Sequence, residues 1–384
     1  MSRRALLGTA AAASLPVARA RAQNPAIKIG VLTDLSGPYR DTTGPTSIAC
    51  VKQALTDFGV PGKGLNVEIL TADHQNKADI GASIARRWID TDGVDAIADV
   101  PNSSVALAVS QIAREKNKVL LEASATTTAI TGRQCSPNTV QWSLDTYLLA
   151  KSTGGTMVKS GGESWFFITA DYAFGHSLEE LTADVVKKAG GKVMGRVRYP
   201  FPDTTDFSSY LAQAQASGAK VLGFANAGAD LVNCVKQAHE FGLPQSGIRI
   251  APLEMFITDA HVLAPANSEG LVLTATFYWD LNEGTRRFAK KIAEKTPRNW
   301  PNMVHASAYG SVFHYLKTVA AMGPAEAKKS GAATVARMKQ MPTEDDAFGK
   351  GSIRADGRGM CPAYLFQVKK PAERKQPWDL YKLL

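Results

Sequence analysis

At 384 residues, 45% hydrophobic and 21% charged, the chain is too long for one hydrophobic core, which stops growing at about 250–300 residues, and too apolar to stay disordered. Its formal charge of +9 is inflated by the four arginines Arg3, Arg4, Arg19 and Arg21; the mild basic bias beyond them holds no Lys/Arg block or aromatic-basic array, which argues against a nucleic-acid partner. Cys50, Cys135, Cys234 and Cys361 lack the paired CxxC grouping of a structural zinc site; they permit disulfides in three complete pairings that spacing does not rank, or free buried thiols.

Residues 1–22 have the layout of a removable leader: Arg3 and Arg4, an apolar stretch over 5–15, then small residues with cleavage after Ala20 or, by preference, Ala22. The apolar stretch falls short of the about 20 residues that cross a bilayer. Ser2-Arg3-Arg4 before Ala5-Leu6-Leu7 fits a twin-arginine export signal as well as an ordinary secretory one. From residue 27, β-rich runs alternate with amphipathic stretches: strands over 27–35, 65–73, 95–100 and 118–123, and helices over 46–58, 77–91 and 103–115. A second series places strands over 164–171, 192–199, 219–227, 248–253 and 270–278. Its helices carry apolar stripes at helical spacing, Phe174, Leu178, Leu181 and Val185 in one and Phe207, Tyr210, Leu211 and Ala214 in another. Helices over 283–295 and 303–322 follow, the second with Tyr309, Val312, Phe313, Leu316 and Val319 on one face, and a strand over 364–368 is expected to close the chain. Two such βα series predict an α/β fold of two Rossmann-like lobes, each with a parallel sheet covered on both faces. No low-complexity linker separates them, so several short crossings are expected.

In open α/β sheets ligands bind beyond the carboxyl ends of the strands. Two of these ends in the first series are rich in hydroxyls, Pro101-Asn102-Ser103-Ser104 opening a helix and Ser124-Ala125-Thr126-Thr127-Thr128 after a strand. Ser104, Thr126 and the backbone of Ser124 are candidates to converge on a carboxylate, with helix capping the alternative. The second series offers Tyr172, Phe174, Asn226 and Glu254. Its rings suit an apolar tail, since burying a side chain of leucine size is worth about 1.5–3 kcal/mol. A carboxylate such as Glu254 is costly in a closing cleft unless a cation pairs with it. Tyr39 is a further candidate ring; Phe277-Tyr278-Trp279 reads better as hinge packing. No Gly-x-Ser-x-Gly elbow, Gly-x-Gly-x-x-Gly fingerprint, phosphate loop or His-Glu-x-x-His motif is present, and the six histidines never pair at helical spacing. Neither an enzyme nor a cofactor or metal is therefore expected.

The run Ile29-Gly30-Val31-Leu32-Thr33-Asp34-Leu35-Ser36-Gly37-Pro38 resembles the first strand and loop of the leucine/isoleucine/valine-binding protein family. Ala123-Ser124-Ala125-Thr126, Asp171-Tyr172-Ala173-Phe174-Gly175, Glu240-Phe241-Gly242-Leu243 and Glu269-Gly270 follow in order, so the likeness spans nearly the whole mature chain. The resemblance implies a type I periplasmic binding fold with a three-crossing hinge near Asp145, Thr274 and Gly349, lobe one holding residues 24–144 and 275–348 and lobe two 145–274 and 349–384. It implies a monomeric periplasmic solute-binding protein of an ABC importer, which closes on a small-molecule ligand and hands it to a membrane permease. Glu254 falls where amino-acid binders of this family keep an acid for the ligand's ammonium, which points to a branched-chain-type amino acid. Phe174 stands where a tyrosine is common, and Ala227-Gly228-Ala229 where bulkier residues often touch the ligand. These departures predict a roomier pocket and make an aromatic acid the alternative ligand; a soluble sensory ligand-binding protein is the alternative role.

Overall fold

Why the first βα series forms a sheet is clearest at β1 (Ile27–Thr33), which is buried at every residue but Ala26's neighbour-but-one, Lys28, as a strand covered on both faces must be. In the computed structural model, which describes residues 25–142 and 144–384, β1 is followed by α1 (Gly44–Phe58), β2 (Val67–Asp73), α2 (Ala78–Asp90), β3 (Ala96–Asp99), α3 (Ser103–Glu115), β4 (Val119–Glu122) and β5 (Thr139–Gln141). The strands form a parallel sheet in the order β2-β1-β3-β4-β5. The expected leader, its cleavage site and its twin arginines lie outside the described residues.

Past β5 the chain enters α4 (Thr146–Leu149), runs through a π-helical turn at Ala150–Gly154 into α5 (Gly155–Lys159), and builds the second sheet. Here β6 (Ser164–Ala170), α6 (Ala173–Lys188), β7 (Lys192–Tyr199), α7 (Ser208–Ala216), β8 (Val221–Ala225), α8 (Gly228–Glu240) and β9 (Arg249–Pro252) alternate, and the parallel order is β7-β6-β8-β9. Both sheets therefore reverse direction beside their first strand, the switch point at which doubly wound folds open a crevice. Two lobes of this kind are what the alternation predicts.

The short helices α9 (Ile257–Val262) and α10 (Pro265–Ser268) lead to β10 (Val272–Ala275), after which α11 (Glu283–Ala293), α12 (Met303–Met322), α13 (Pro324–Lys329) and α14 (Gly331–Gln340) follow. Both α11 and α12 pack on α1. Asn302 starts α12 by accepting from the N–H groups of Val304 and His305, and its amide donates to Thr42 O at 2.9 Å, which ties the helix to the loop after β1.

Three features depart from the sequence expectation. The strand at 364–368 does not close the chain: β14 (Tyr364–Val368) sits between β10 and a later strand, β15 (Tyr381–Leu383), in a small antiparallel sheet. A second one joins β11 (Thr343–Asp345), β12 (Gly349–Ile353) and β13 (Gly359–Met360), whose short, glycine-rich, half-exposed segments show no alternating pattern. Gly349, where a crossing was expected, opens β12; beyond it the Gln141 N–H donates to Gly357 O at 2.9 Å and Arg358 pairs with Asp145 at 3.1 Å, so residues 349–358 stay beside the first sheet. The aromatic run after β10 is packing: Tyr278 donates to Asp379 and Trp279 to the Trp378 carbonyl. All four cysteines are free, Cys50 and Cys234 buried, Cys135 exposed and Cys361 half-buried.

Candidate functional site

The carboxyl ends of six strands meet around one cleft. Tyr39, Thr42 and Thr43 come from the loop after β1, Pro101 from that after β3, and Ser124 and Thr126 from that after β4. Facing them are Tyr172 and Phe174 after β6, Ala227 after β8, and Glu254 and Phe256 after β9; Val304 of α12 completes the lining.

Six of the eight expected site residues share this cavity: Tyr39, Ser124, Thr126, Tyr172, Phe174 and Glu254. Ser104 and Asn226 do not line it. The Ser104 N–H donates to Asn102 Oδ1 at 2.9 Å, as does that of Val105 at 3.1 Å, so the start of α3 is capped from within, the alternative its composition allowed. Asn226 is fully buried behind the wall and donates to Cys234 Sγ. The backbone of Ser124 is also committed elsewhere, because its N–H and that of Ala125 donate to Glu122 Oε1 at 2.9 and 2.7 Å. Thr42, Thr43, Phe256 and Val304 were not anticipated. Loop position after β1 could have flagged the threonines; no local signal marks Val304, which reaches the site through the Asn302–Thr42 contact.

The two lobes touch across the cleft. Tyr39 and Tyr172 join their hydroxyls at 2.5 Å, and Phe201 stacks on both rings, with centroids 5.3 and 4.6 Å away. The Ala229 N–H donates to Pro38 O at 3.0 Å, and Thr126 Oγ1 lies 3.5 Å from Glu254 Oε2. Gly228 has φ +62°, and a Cβ there would lie 2.6 Å from Pro38 O. The small Ala227-Gly228-Ala229 segment thus admits the opposite lobe instead of enlarging the pocket, and the expected roominess is not found.

Glu254 dominates the electrostatics. It is 3% exposed, its Oε1 has no hydrogen-bond partner, and no lysine, arginine or histidine lines the cavity. Burial, then the charge of nearby Asp259, pushes its carboxyl up to about 8, against a small opposing effect of the Thr126 hydroxyl. Asp259 is itself pushed up to about 7 by burial, although the Phe256 N–H donates to it. Burial keeps both Tyr39 and Tyr172 protonated. Such a site offers acceptors and rings, with one carboxyl whose charged form requires a cation. Among the described residues no group of three or more His, Cys, Asp or Glu side chains is placed to hold a metal.

The geometry agrees with comparisons to known proteins. A family model described as periplasmic binding protein matches residues 26–375. A periplasmic binding protein from Burkholderia mallei is 46% identical, with a TM-score of 0.89 over 94% of each chain. A branched chain amino acid ABC transporter periplasmic ligand-binding protein from Burkholderia xenovorans is 34% identical, with a TM-score of 0.78 over 93% of this chain and 94% of that one. An ABC transporter solute binding protein from R. palustris in complex with benzoate, 20% identical with a TM-score of 0.82 over 94% of this chain and 96% of that one, shares the fold. A comparison with curated proteins finds no match. Two lobes closed on a strand-end cavity, and a family match over almost every described residue, lead to one conclusion: the chain belongs to the periplasmic binding protein family.

Proposed function

We propose that the protein is the solute receptor of an ABC importer and that it captures a small amino acid of the branched-chain type. The observation that carries this reading is Glu254, a buried carboxylate with an unpartnered oxygen in a cavity whose lining has no cationic side chain. Leaving such a group unpaired is costly; a ligand ammonium pairs it. Thr126 and the one hydroxyl proton that the Tyr39–Tyr172 pair leaves free meet the ligand's carboxylate. Phe174, Phe256 and Val304 cover its side chain.

The family places the protein in the periplasm, and Arg3-Arg4 suit twin-arginine export as well as an ordinary secretory route. Ligand binds lobe one first, and the contacts available only in the closed form, Tyr39 to Tyr172 and Pro38 to Ala229, then draw the lobes together for the permease to recognise. The boundaries that best fit the packing are 25–144 with 275–360 and 145–274 with 361–384, the third crossing lying after Arg358 because the Gln141 N–H of the first sheet donates to Gly357 O.

Native mass spectrometry of the purified protein for co-purified ligand, then thermal-shift screening of amino acids and aromatic acids, tests the assignment, since a ligand bound only by the folded state raises the melting temperature. Stabilisation by amino acids is expected. Stabilisation by benzoates alone would favour an aromatic acid as cargo and refute the role given to Glu254.

A further inference from the structure

Behind the cavity lies a second acid that touches no part of its lining except one hydroxyl. Asp99, the last residue of β3, is fully buried, and Ser124 Oγ donates to its Oδ1. Its backbone is left-handed, φ +79°, and so is that of Val100, φ +64°. Conformations of this kind in residues other than glycine cost about 1–3 kcal/mol each and persist where the surroundings hold them. Here the Val100 N–H donates to Leu32 O at 2.9 Å and the Ala123 N–H to Asp99 O at 3.2 Å, so the turn is fastened to strands on both sides. Glu122, paired with Asp99 in the ladder, fixes the following loop from beneath by accepting the N–H groups of Ser124 and Ala125.

The consequence is chemical. A serine hydroxyl has one proton and two lone pairs. With that proton committed to a carboxylate, Ser124 presents only lone pairs to the cavity that it lines. We propose that Asp99 is a positioning residue that sets ligand selectivity: by taking the Ser124 proton it makes this wall an acceptor for the ligand's ammonium, opposite Glu254, and turns away ligands that bring only a carboxylate. The role rests on the amino-acid ligand proposed above and extends it to a residue that touches no ligand.

The test is calorimetric titration of the full mature protein with two matched pairs, L-leucine against 4-methylpentanoate and L-phenylalanine against 3-phenylpropanoate, the second of each pair lacking the ammonium. Asp99→Asn keeps the shape and suits a left-handed backbone, and it replaces the charged acceptor by a neutral amide, so that the Ser124 proton is held less firmly and is free to turn into the cavity. It is expected to weaken the preferred amino acid by about 10- to 100-fold, the range of a hydrogen bond to a charged group, while its deaminated partner binds unchanged or more tightly. Ser124→Ala should narrow the same preference, and Asp99→Asn should add nothing to it in the double variant. If Asp99→Asn does not fold by circular dichroism, Ser124→Ala alone decides. Equal losses for both members of a pair, or no change in either, would overturn the positioning role. Failure of the wild-type protein to bind any amino acid would instead overturn the ligand assignment, and that result is visible before any variant is made.

Discussion

Replacing Glu254 by Gln should let the protein close without a ligand. In the closed cavity burial lifts this carboxyl from its ordinary 4.5 to about 8, whereas an open cleft returns it to water. Closing empty at pH 7 therefore requires proton uptake across about 2.5 pH units, which at about 1.4 kcal/mol per unit opposes closure by roughly 3 kcal/mol. The sign follows from the raised value: the penalty is absent below pH 4.5, grows as pH rises towards 8 and is constant above. A ligand ammonium removes it by stabilising the charged form, so the acid acts as a brake on unliganded closure. Small-angle scattering of the ligand-free proteins between pH 5 and 8 measures it. The wild type should become more compact as pH falls, and Glu254→Gln should be more compact than the wild type at pH 8 and depend less on pH. Asp259 and Asp230, both pushed to about 7 by burial, titrate in the same window but remain in the variant, so the difference between the two proteins isolates Glu254. A variant as extended as the wild type at pH 8 would refute the reasoning.

Gly228→Ala places a Cβ 2.6 Å from Pro38 O in the opposite lobe; ligand-induced compaction should vanish and affinity fall, while circular dichroism reports an intact fold. Thr126→Ala should weaken binding by about 1–3 kcal/mol in calorimetry, the cost of leaving a charged partner unsatisfied. Phe174→Ala, at a buried ring beside Tyr172, should lower stability by about 3–5 kcal/mol in denaturant unfolding. With Cys135 the only exposed cysteine, a maleimide should label one thiol per folded chain, and rapid labelling of Cys50 or Cys234 would contradict their burial.

Legibility in the sequence followed the range of the forces involved. The helices at Ser103–Glu115 and Met303–Met322 and the strands at Lys192–Tyr199 and Tyr364–Val368 begin and end where their local pattern says. Tyr39, Ser124, Thr126, Tyr172, Phe174 and Glu254 were recognisable because strand-end position, a local property, places them together. Ser104 does not line the cavity: its hydroxyl composition suits capping and ligand binding equally, and only the direction of the Asn102 side chain separates them. The space beside Ala227 could not be judged without Pro38, nearly two hundred residues earlier, which fills it in the closed form. Val304 and the small antiparallel sheets depend on contacts of the same long range.

A crystal structure of the protein with its preferred amino acid would test the central claim most directly. The account predicts one ligand between the lobes, its ammonium within hydrogen-bonding distance of Glu254 Oε1 and Ser124 Oγ and its carboxylate at Thr126. A ligand seated with its carboxylate against Glu254, or bound outside this cavity, would contradict it.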